Sequence, residues 1–174
     1  MPTQAFIKQK KIGRWFEGLM RPELEQMGFE VIDSDKQKYQ IKKGYDCILR
    51  IKNSDGIYRR NDRGQIIQDR AEFKYDEMSE QTGNVCIDLD SIQKSISAWW
   101  FFGLKEGNQI EVYLTEILSL APFAQSWPVK KRVGENGWVE AAIVPKSVFK
   151  SQQFIKHFKT IPINNRFAAN KVAA

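Results

Sequence analysis

The chain contains a single histidine and only two cysteines among its 174 residues. Cys47 and Cys86 stand in separate apolar runs, and neither belongs to a CxxC motif or has a histidine at ligand spacing, which argues against a zinc site. Isolated cysteines of this kind are typical of small buried hydrophobic residues in a reducing compartment. We therefore expect two buried thiols in a cytoplasmic protein, without a zinc centre.

Long apolar segments are also missing from the sequence. The first residues, MPTQAFIKQKK, contain no apolar stretch of the kind found in signal peptides. The most apolar run, AWWFFGL (98–104), is far too short to cross a membrane, and its aromatic residues are expected in the core. Neither an internal repeat nor a low-complexity linker divides the chain. With 42% hydrophobic and 28% charged residues, the composition predicts one folded, soluble domain over 1–174 with no membrane partner.

Positive charge exceeds negative charge, giving a formal net charge of +6. That sign is expected of proteins that meet polyanions such as DNA. Two basic clusters are predicted to contact nucleic acid phosphates, since such contacts add affinity without reading sequence. The clusters are Arg59, Arg60 and Arg63, and Lys130, Lys131 and Arg132. A solvated loop explains the first cluster about as well.

The apolar residues follow helix and strand periods in turn. Helical spacing predicts a helix over 12–27, which Pro22 should kink or split and Gly28 should end. A second helical pattern covers 147–159, within a C-terminal helix and tail expected over 145–174. Predicted strand segments are 29–33, 38–52, 70–76, 84–89, 109–117 and 137–145. This order predicts an α/β fold with a central mixed β-sheet flanked by helices.

Two turn signals, NSDG and NDRG, bracket the short segment IYRR. Together they predict an inserted β-hairpin over 53–69, with Arg59, Arg60 and Arg63 at its tip. A two-stranded ribbon of this kind fits a DNA groove, where arginine is favoured.

One stretch, RAEFKYD (70–76), sets an acid and a base two residues apart. On a strand, Glu72 and Lys74 share a face, about 7 Å apart along the chain. Asp46 precedes the apolar run of another predicted strand, where a buried carboxylate needs a partner or a metal. Two carboxylates and a backbone carbonyl, here that of Phe73, suit Mg²⁺. An ammonium beside them would orient a water for phosphodiester hydrolysis.

Glu17 falls on the apolar stripe of the first predicted helix, with Met20 and Leu24. A glutamate there is costly unless it has a partner, and a metal-bound water is one candidate. The alternative is an ion pair with Arg14 or Arg21 at helical spacing.

In several short motifs the sequence resembles the PD-(D/E)xK nuclease superfamily, whose members have the restriction-endonuclease-like fold. The resemblance rests on GRWFE (13–17), GYD (44–46) and EFK (72–74). AEFKYD, TGNVCIDL, QKSISAWWFF and VEAAIVPKSVF are similar to small phage-type endonucleases and Holliday-junction resolvases of that superfamily.

The resemblance implies roles for individual residues. Asp46 and Glu72 would be metal ligands, with Phe73 completing the shell, and Lys74 would activate or stabilise the attacking water. Glu17 would act behind them or at a second metal. Asp76 and Asn84 are weaker candidates, for which a strand-end cap and a turn former are the structural alternatives.

A Mg²⁺-dependent DNA endonuclease is the function that these implications favour, with Mn²⁺ able to substitute. It would work in the cytoplasm of a bacterium or a phage-infected host cell, as a homodimer or higher homo-oligomer. The single histidine, His157, falls at the end of the last predicted helix and excludes HNH-type chemistry. Two alternatives stay open: a Holliday-junction resolvase with the same chemistry, and a non-catalytic nucleic-acid-binding module on the same fold.

Overall fold

A computed structural model describes residues 4–33, 45–134 and 137–163, which form five helices and nine strands. In chain order, the helices are α1 (Gln4–Gln26), α2 (Ser79–Thr82), α3 (Leu89–Lys94), α4 (Ile117–Gln125) and α5 (Lys146–Ser151). The strands are β1 (Phe29–Asp33), β2 (Cys47–Ile51), β3 (Gln68–Asp76), β4 (Asn84–Asp88), β5 (Trp99–Glu106), β6 (Gln109–Glu116), β7 (Val129–Gly134), β8 (Gly137–Pro145) and β9 (Lys156–Pro162). None of the helices within these ranges is long and apolar enough to cross a membrane.

Six of the strands form one mixed sheet in the order β1-β2-β3-β5-β6-β9. Only β3 and β5 pair in parallel, and the other neighbours are antiparallel. A mixed central sheet flanked by helices confirms the predicted α/β class. The pairing of β2 with β3 ends at Cys47 and Ala71, whereas β5 continues alongside β3 to Asp76. Residues 72–76 therefore have a strand partner on the β5 side, and their other side is available to the side chain of Asp46.

The remaining three strands form a separate antiparallel sheet in the order β4-β8-β7. The alternating segments 84–89 and 137–145 predict β4 and β8 as strands, but nothing in them indicates that both strands lie outside the central sheet. A core fills the space between the two sheets, since Val85 and Ile87 of β4 pack with Trp100 and Phe102 of β5. The burial of Trp100, Phe101 and Phe102 confirms that the aromatic run belongs to the core.

Helix α1 covers the opposite face of the central sheet. Its residues Phe16, Met20 and Leu24 are fully buried in a second core, which explains why one stripe of the helix is apolar. Pro22 was expected to kink or split this helix, and the split does not occur, because α1 continues to Gln26. Pro22 is exposed and lies between buried residues that hold both parts of the helix against the sheet.

The C-terminal region corrects a second prediction. The helix expected over 147–159, within 145–174, ends at Ser151, and the chain returns as β9 along the edge of the central sheet. His157 consequently lies in a strand, paired with Tyr113 of β6. Burial of Ile155 and Ile161 and the hydrogen bonds to β6 outweigh the local helical pattern. Residues 164–174 lie outside the described ranges.

The insertion at 53–69 forms two short antiparallel hairpins rather than one, since single bridges join Lys52 to Tyr58 around the first turn and Arg60 to Ile66 around the second. Asn53 N–H donates to the Ile57 carbonyl in the first turn, and Asn61 N–H donates to the Gln65 carbonyl in the second, both at about 2.9 Å or less. Each turn signal thus closes its own turn. Arg59 and Arg60 lie between the turns, so the predicted placement at one tip holds only for Arg63. The N-terminal part of the predicted segment 38–52, with Gly44, falls outside the described residues.

Candidate functional site

Asp46 and β3 meet where the pairing of β2 with β3 stops. The backbone N–H of Asp46 donates to the carbonyl of Ala71 at 2.9 Å, which continues the ladder by one step. One residue further, the Asp46 carboxylate takes the place of a partner strand: Oδ2 accepts from the backbone N–H of Phe73 at 2.7 Å. A backbone N–H in this position needs an acceptor, and Asp46 supplies it. The carboxylate is therefore held beside residues 72–74.

Glu72 and Lys74 lie on the same face of β3, as their spacing predicted. Glu72 is only 7% exposed, and its Oε1 is 2.8 Å from the Nζ of Lys74. The ammonium also lies 5.6 Å from the centre of the Trp100 ring on β5. An ion pair on one side and an aromatic face below fix the position of Lys74.

The electrostatics of this cluster are unfavourable for a second negative charge. Burial raises the pKa of Asp46 well above its ordinary value, and the charge of Glu72 raises it further. Lys74 works against this rise, as does the hydrogen bond from Phe73 N–H. Two carboxylates and one ammonium thus lie together in a poorly solvated cluster. An added cation would reduce the repulsion between the two carboxylates.

Lys74 is held in its charged form. Burial alone would lower the pKa of Lys74, but Glu72 and Asp46 outweigh that effect and raise it above its ordinary value. An ammonium donates hydrogen bonds and has no lone pair to accept a proton. In this charge environment Lys74 is suited to orienting a water or stabilising a phosphate, rather than to removing a proton.

Glu17 lies half-buried on α1 and belongs to the same electrostatic neighbourhood. Its negative charge is among those that raise the pKa of Asp46. Glu17 has an interaction partner of its own in the structure. This position is compatible with the predicted role of Glu17, which is to act behind the metal ligands Asp46 and Glu72 or at a second metal. That role stays a prediction.

Asp76 and Asn84 make structural contacts. The Asp76 carboxylate accepts from the backbone N–H groups of Met78 and Cys86, each at 3.0 Å, and so ties β3 to the open edge of β4. Asn84 donates from its side chain to the Thr82 carbonyl at 2.7 Å, in the turn that precedes β4. Cys47 is buried as expected, but Cys86 is exposed, because its side chain points away from the core between the sheets.

Asp88 is a further acid near the cluster that the sequence patterns do not mark as part of a site. It ends β4 and caps α3, accepting from the N–H of Ser91 at 2.9 Å and from its hydroxyl at 2.7 Å. Its charge acts on Lys74 and raises the pKa of that ammonium. The approach of Asp88 to Lys74 depends on the second sheet, which no local pattern shows.

Arg70 was also missed, although the alternation of RAEFK contains the signal. It lies two residues before Glu72 on the same face of β3 and is exposed to solvent. Its guanidinium lies 5.5 Å from the ring centre of Tyr45, the residue before Asp46. Arg70 therefore places a positive charge next to Tyr45, on the same face of β3 as Glu72.

The predicted basic clusters lie on separate elements. Arg59, Arg60 and Arg63 belong to the double turn beyond β2 and β3, where Arg60 Nη1 donates to the Gly64 carbonyl at 2.6 Å. Lys130, Lys131 and Arg132 lie exposed on β7, an edge strand of the three-stranded sheet.

The donor set bears on which metal would fit. Within residues 4–33, 45–134 and 137–163, no group of three or more His, Cys, Asp or Glu side chains is arranged to hold a metal ion. Asp46 and Glu72 are a pair of carboxylates, which suits Mg²⁺, since that ion uses one or two carboxylates and keeps several waters. The carbonyl of Phe73 lies between Glu72 and Lys74, and its role as a ligand stays a prediction.

Comparisons of the chain with models of known protein families, with curated proteins and with solved structures return no match. The likeness to PD-(D/E)xK nucleases therefore rests on the short motifs alone. What the fold defines is an α/β protein with a mixed central sheet.

Proposed function

We propose that this protein is a Mg²⁺-dependent DNA endonuclease that hydrolyses phosphodiester bonds at Asp46, Glu72 and Lys74. The observation that carries the proposal is the convergence of these three side chains at the end of the β2–β3 pairing. Asp46 directly precedes β2, whereas Glu72 and Lys74 lie on β3, and 16 residues separate these two strands. Their meeting is a property of the fold rather than of one charged segment.

The charge of the cluster favours a divalent cation between the carboxylates. Burial and Glu72 raise the pKa of Asp46, so the metal-free arrangement is strained electrostatically at neutral pH. Asp46 and Glu72 would hold Mg²⁺, or Mn²⁺ in its place, with the Phe73 carbonyl as a third donor. When bound, the metal would neutralise phosphate charge and lower the pKa of the attacking water.

The protein residues then have distinct tasks. Lys74, paired with Glu72 and resting on Trp100, donates hydrogen bonds to the incoming water or to a phosphate oxygen. Phe73 N–H keeps the Asp46 carboxylate in one orientation. Addition of water across one P–O bond yields a phosphate end and a hydroxyl end. Preorganised charge of this kind supplies most of the catalysis in phosphodiester hydrolysis.

Net positive charge and exposed basic side chains support DNA as the substrate. The formal charge of +6 attracts polyanions, and the Arg70 guanidinium lies against Tyr45, the residue before Asp46. Arginine is the side chain best suited to phosphate recognition, because its planar donors match the phosphate oxygens.

The test is incubation of the purified protein with supercoiled plasmid, linear duplex and a four-way junction, with Mg²⁺ or with EDTA. We expect cleavage only with Mg²⁺ and its loss in Lys74→Ala. Lys94→Ala is the matched control, since Lys94 is an exposed lysine at the end of α3. Lys74→Ala should still bind DNA.

The substrates separate the competing functions. Symmetric cutting of the junction with sparing of linear duplex would indicate a resolvase. Salt-dependent binding to DNA without cleavage in Mg²⁺ or Mn²⁺ would indicate a binding module and contradict the proposed chemistry. Equal cleavage by wild type and Lys74→Ala would remove Lys74 from the mechanism.

A further inference from the structure

One face of the three-stranded sheet points away from the core between the two sheets and begins next to the proposed active site; Ala141 in its middle is fully buried, and Lys130 and Arg132 on β7 are exposed. Val85 and Ile87 of β4 point into the core between the sheets. Cys86 and Asp88 alternate with them and therefore point to the outer face. Cys86 N–H bonds to Asp76 of β3, and the charge of Asp88 acts on Lys74. The outer face is thus continuous with the row Glu72, Lys74 and Asp76.

The register across the sheet assigns the basic residues of β7 to its two faces. Asp88 pairs with Ala141 of β8, and Ala141 pairs with Lys130 of β7. Registered residues on neighbouring strands point to the same face, so Lys130 shares the outer face with Asp88, about 10 Å away across two strand spacings. Arg132, two residues on, pairs with Val139 and shares that face.

Lys131 points the other way. It pairs with Glu140, which alternates with the outer residues Val139 and Ala141. A cross-strand acid of opposite sign faces its charge, whereas Lys130 and Arg132 stand opposite apolar residues. The charge of Arg132 also acts on Cys86, an outer-face residue of β4. Burial and Asp76 raise the pKa of Cys86 to about 11, and Arg132 opposes that rise.

We propose that Lys130 and Arg132 bind the phosphate backbone of the DNA on the outer face of the three-stranded sheet and guide it to the Asp46–Glu72–Lys74 cluster, and that Lys131 takes no part. This inference rests on the proposed function. It assigns DNA contacts to Lys130 and Arg132 and none to Lys131, although the three residues are consecutive in the sequence. Lysines on an edge strand also prevent strand pairing between molecules. That role would not distinguish the three positions, so the faces provide the test.

The experiment measures the affinity for a fluorescently labelled linear duplex by anisotropy, in EDTA, over a range of salt concentrations. Log K falls as log salt rises, and each phosphate contact that is lost reduces the magnitude of this negative slope by about 0.9. We expect this decrease in Lys130→Ala and in Arg132→Ala, and the wild-type slope in Lys131→Ala. Lys130→Ala and Lys131→Ala are matched, because they remove the same side chain at adjacent positions of one exposed strand. Unchanged thermal melting confirms that each variant folds.

Equal slope changes in Lys130→Ala and Lys131→Ala would overturn the inference, because the charge would then act as a diffuse field. Wild-type slopes in all variants would place the DNA elsewhere and overturn it too, while Mg²⁺-dependent cleavage by the same preparations keeps the proposed function. A wild type that neither binds nor cuts DNA overturns the proposed function itself. Cleavage kinetics give a second readout: KM should rise in Lys130→Ala and Arg132→Ala at unchanged kcat.

Discussion

Replacement of Gly103 by alanine tests how α1 is seated on the central sheet. Gly103 lies in the middle of β5, beneath the ring of Phe16. An added Cβ would stand 2.5 Å from Cε2 and 2.6 Å from Cζ of that ring, and 3.1 Å from Cγ2 of Ile110. Phe16 is fully buried and stacks on Tyr75 with ring centres 5.5 Å apart, so it has little room to yield.

The expected cost follows from overpacking. Forcing one methyl group into a filled core destabilises proteins by about 1–3 kcal/mol. In a protein of this size, each kcal/mol lowers Tm by roughly 2–4 °C. Gly18→Ala is the matched control, because nothing lies within 4 Å of its added Cβ and Gly18 is exposed on α1. Alanine there should stabilise by about 0.5–1 kcal/mol through helix propensity.

Urea unfolding followed by circular dichroism measures both variants. Gly103→Ala should lower the midpoint, and Gly18→Ala should raise it. Shortening the facing side chain in Gly103→Ala/Phe16→Leu should recover part of the loss, since residues in contact do not behave additively. A change of less than about 0.5 kcal/mol in Gly103→Ala would refute the close packing of Phe16 on β5.

Further predictions concern single side chains. Asp46→Asn should raise the Tm of the metal-free protein at about pH 8 and leave it unchanged near pH 4. Burial raises the pKa of Asp46, so ionising this carboxyl as pH rises destabilises the folded wild-type protein. An equal difference in Tm between variant and wild type at both pH values would contradict this. Lys150→Met should cost about 0.5–1 kcal/mol at neutral pH and flatten the loss of stability on the acid side. The hydrogen bond from Lys150 lowers the pKa of Glu111, whose contribution is present above its unfolded pKa and is lost as pH falls through the folded one; parallel urea midpoints from neutral to acid pH would argue against it. Ellman's reagent reacts with the thiolate, so it should label Cys86 in the native protein faster as pH rises towards the pKa of about 11. It should label Cys47 only after unfolding, since Cys47 is 2% exposed; two reactive native thiols would be the contrary result.

Local patterns predicted much of the fold because they reflect burial directly. The alternation in FEVID and QIEVYLTE gave β1 and β6 close to their observed bounds. The segment after Phe149 shows where such reasoning fails. Its residues fit a helix, but pairing with β6 draws 156–162 into the sheet. Nor does any local feature of β4 reveal that it pairs with β8 instead of joining the central sheet.

In the candidate site too, local sequence patterns predict some of the arrangement, and the rest depends on the fold. The period of a strand sufficed to put Glu72 and Lys74 on one face. The approach of Asp46 depends on where the pairing of β2 with β3 ends, which the 16 residues between Ile51 and Gln68 obscure in the sequence. The charge of Asp88 acts on Lys74 although the two residues lie on strands of different sheets. Contacts between sheets are set by packing of both cores, so single-strand patterns cannot specify them.

Mg²⁺-dependent cleavage of supercoiled plasmid by Glu72→Gln tests the central claim most directly. Glu72 is buried against Lys74, and glutamine keeps its shape while removing its charge. Glu116→Gln makes the same exchange at an exposed position at the end of β6 and serves as the control. We expect wild type and Glu116→Gln to cut plasmid with Mg²⁺ and Glu72→Gln to lose cleavage. Undiminished cleavage by Glu72→Gln would contradict a metal site at Asp46 and Glu72.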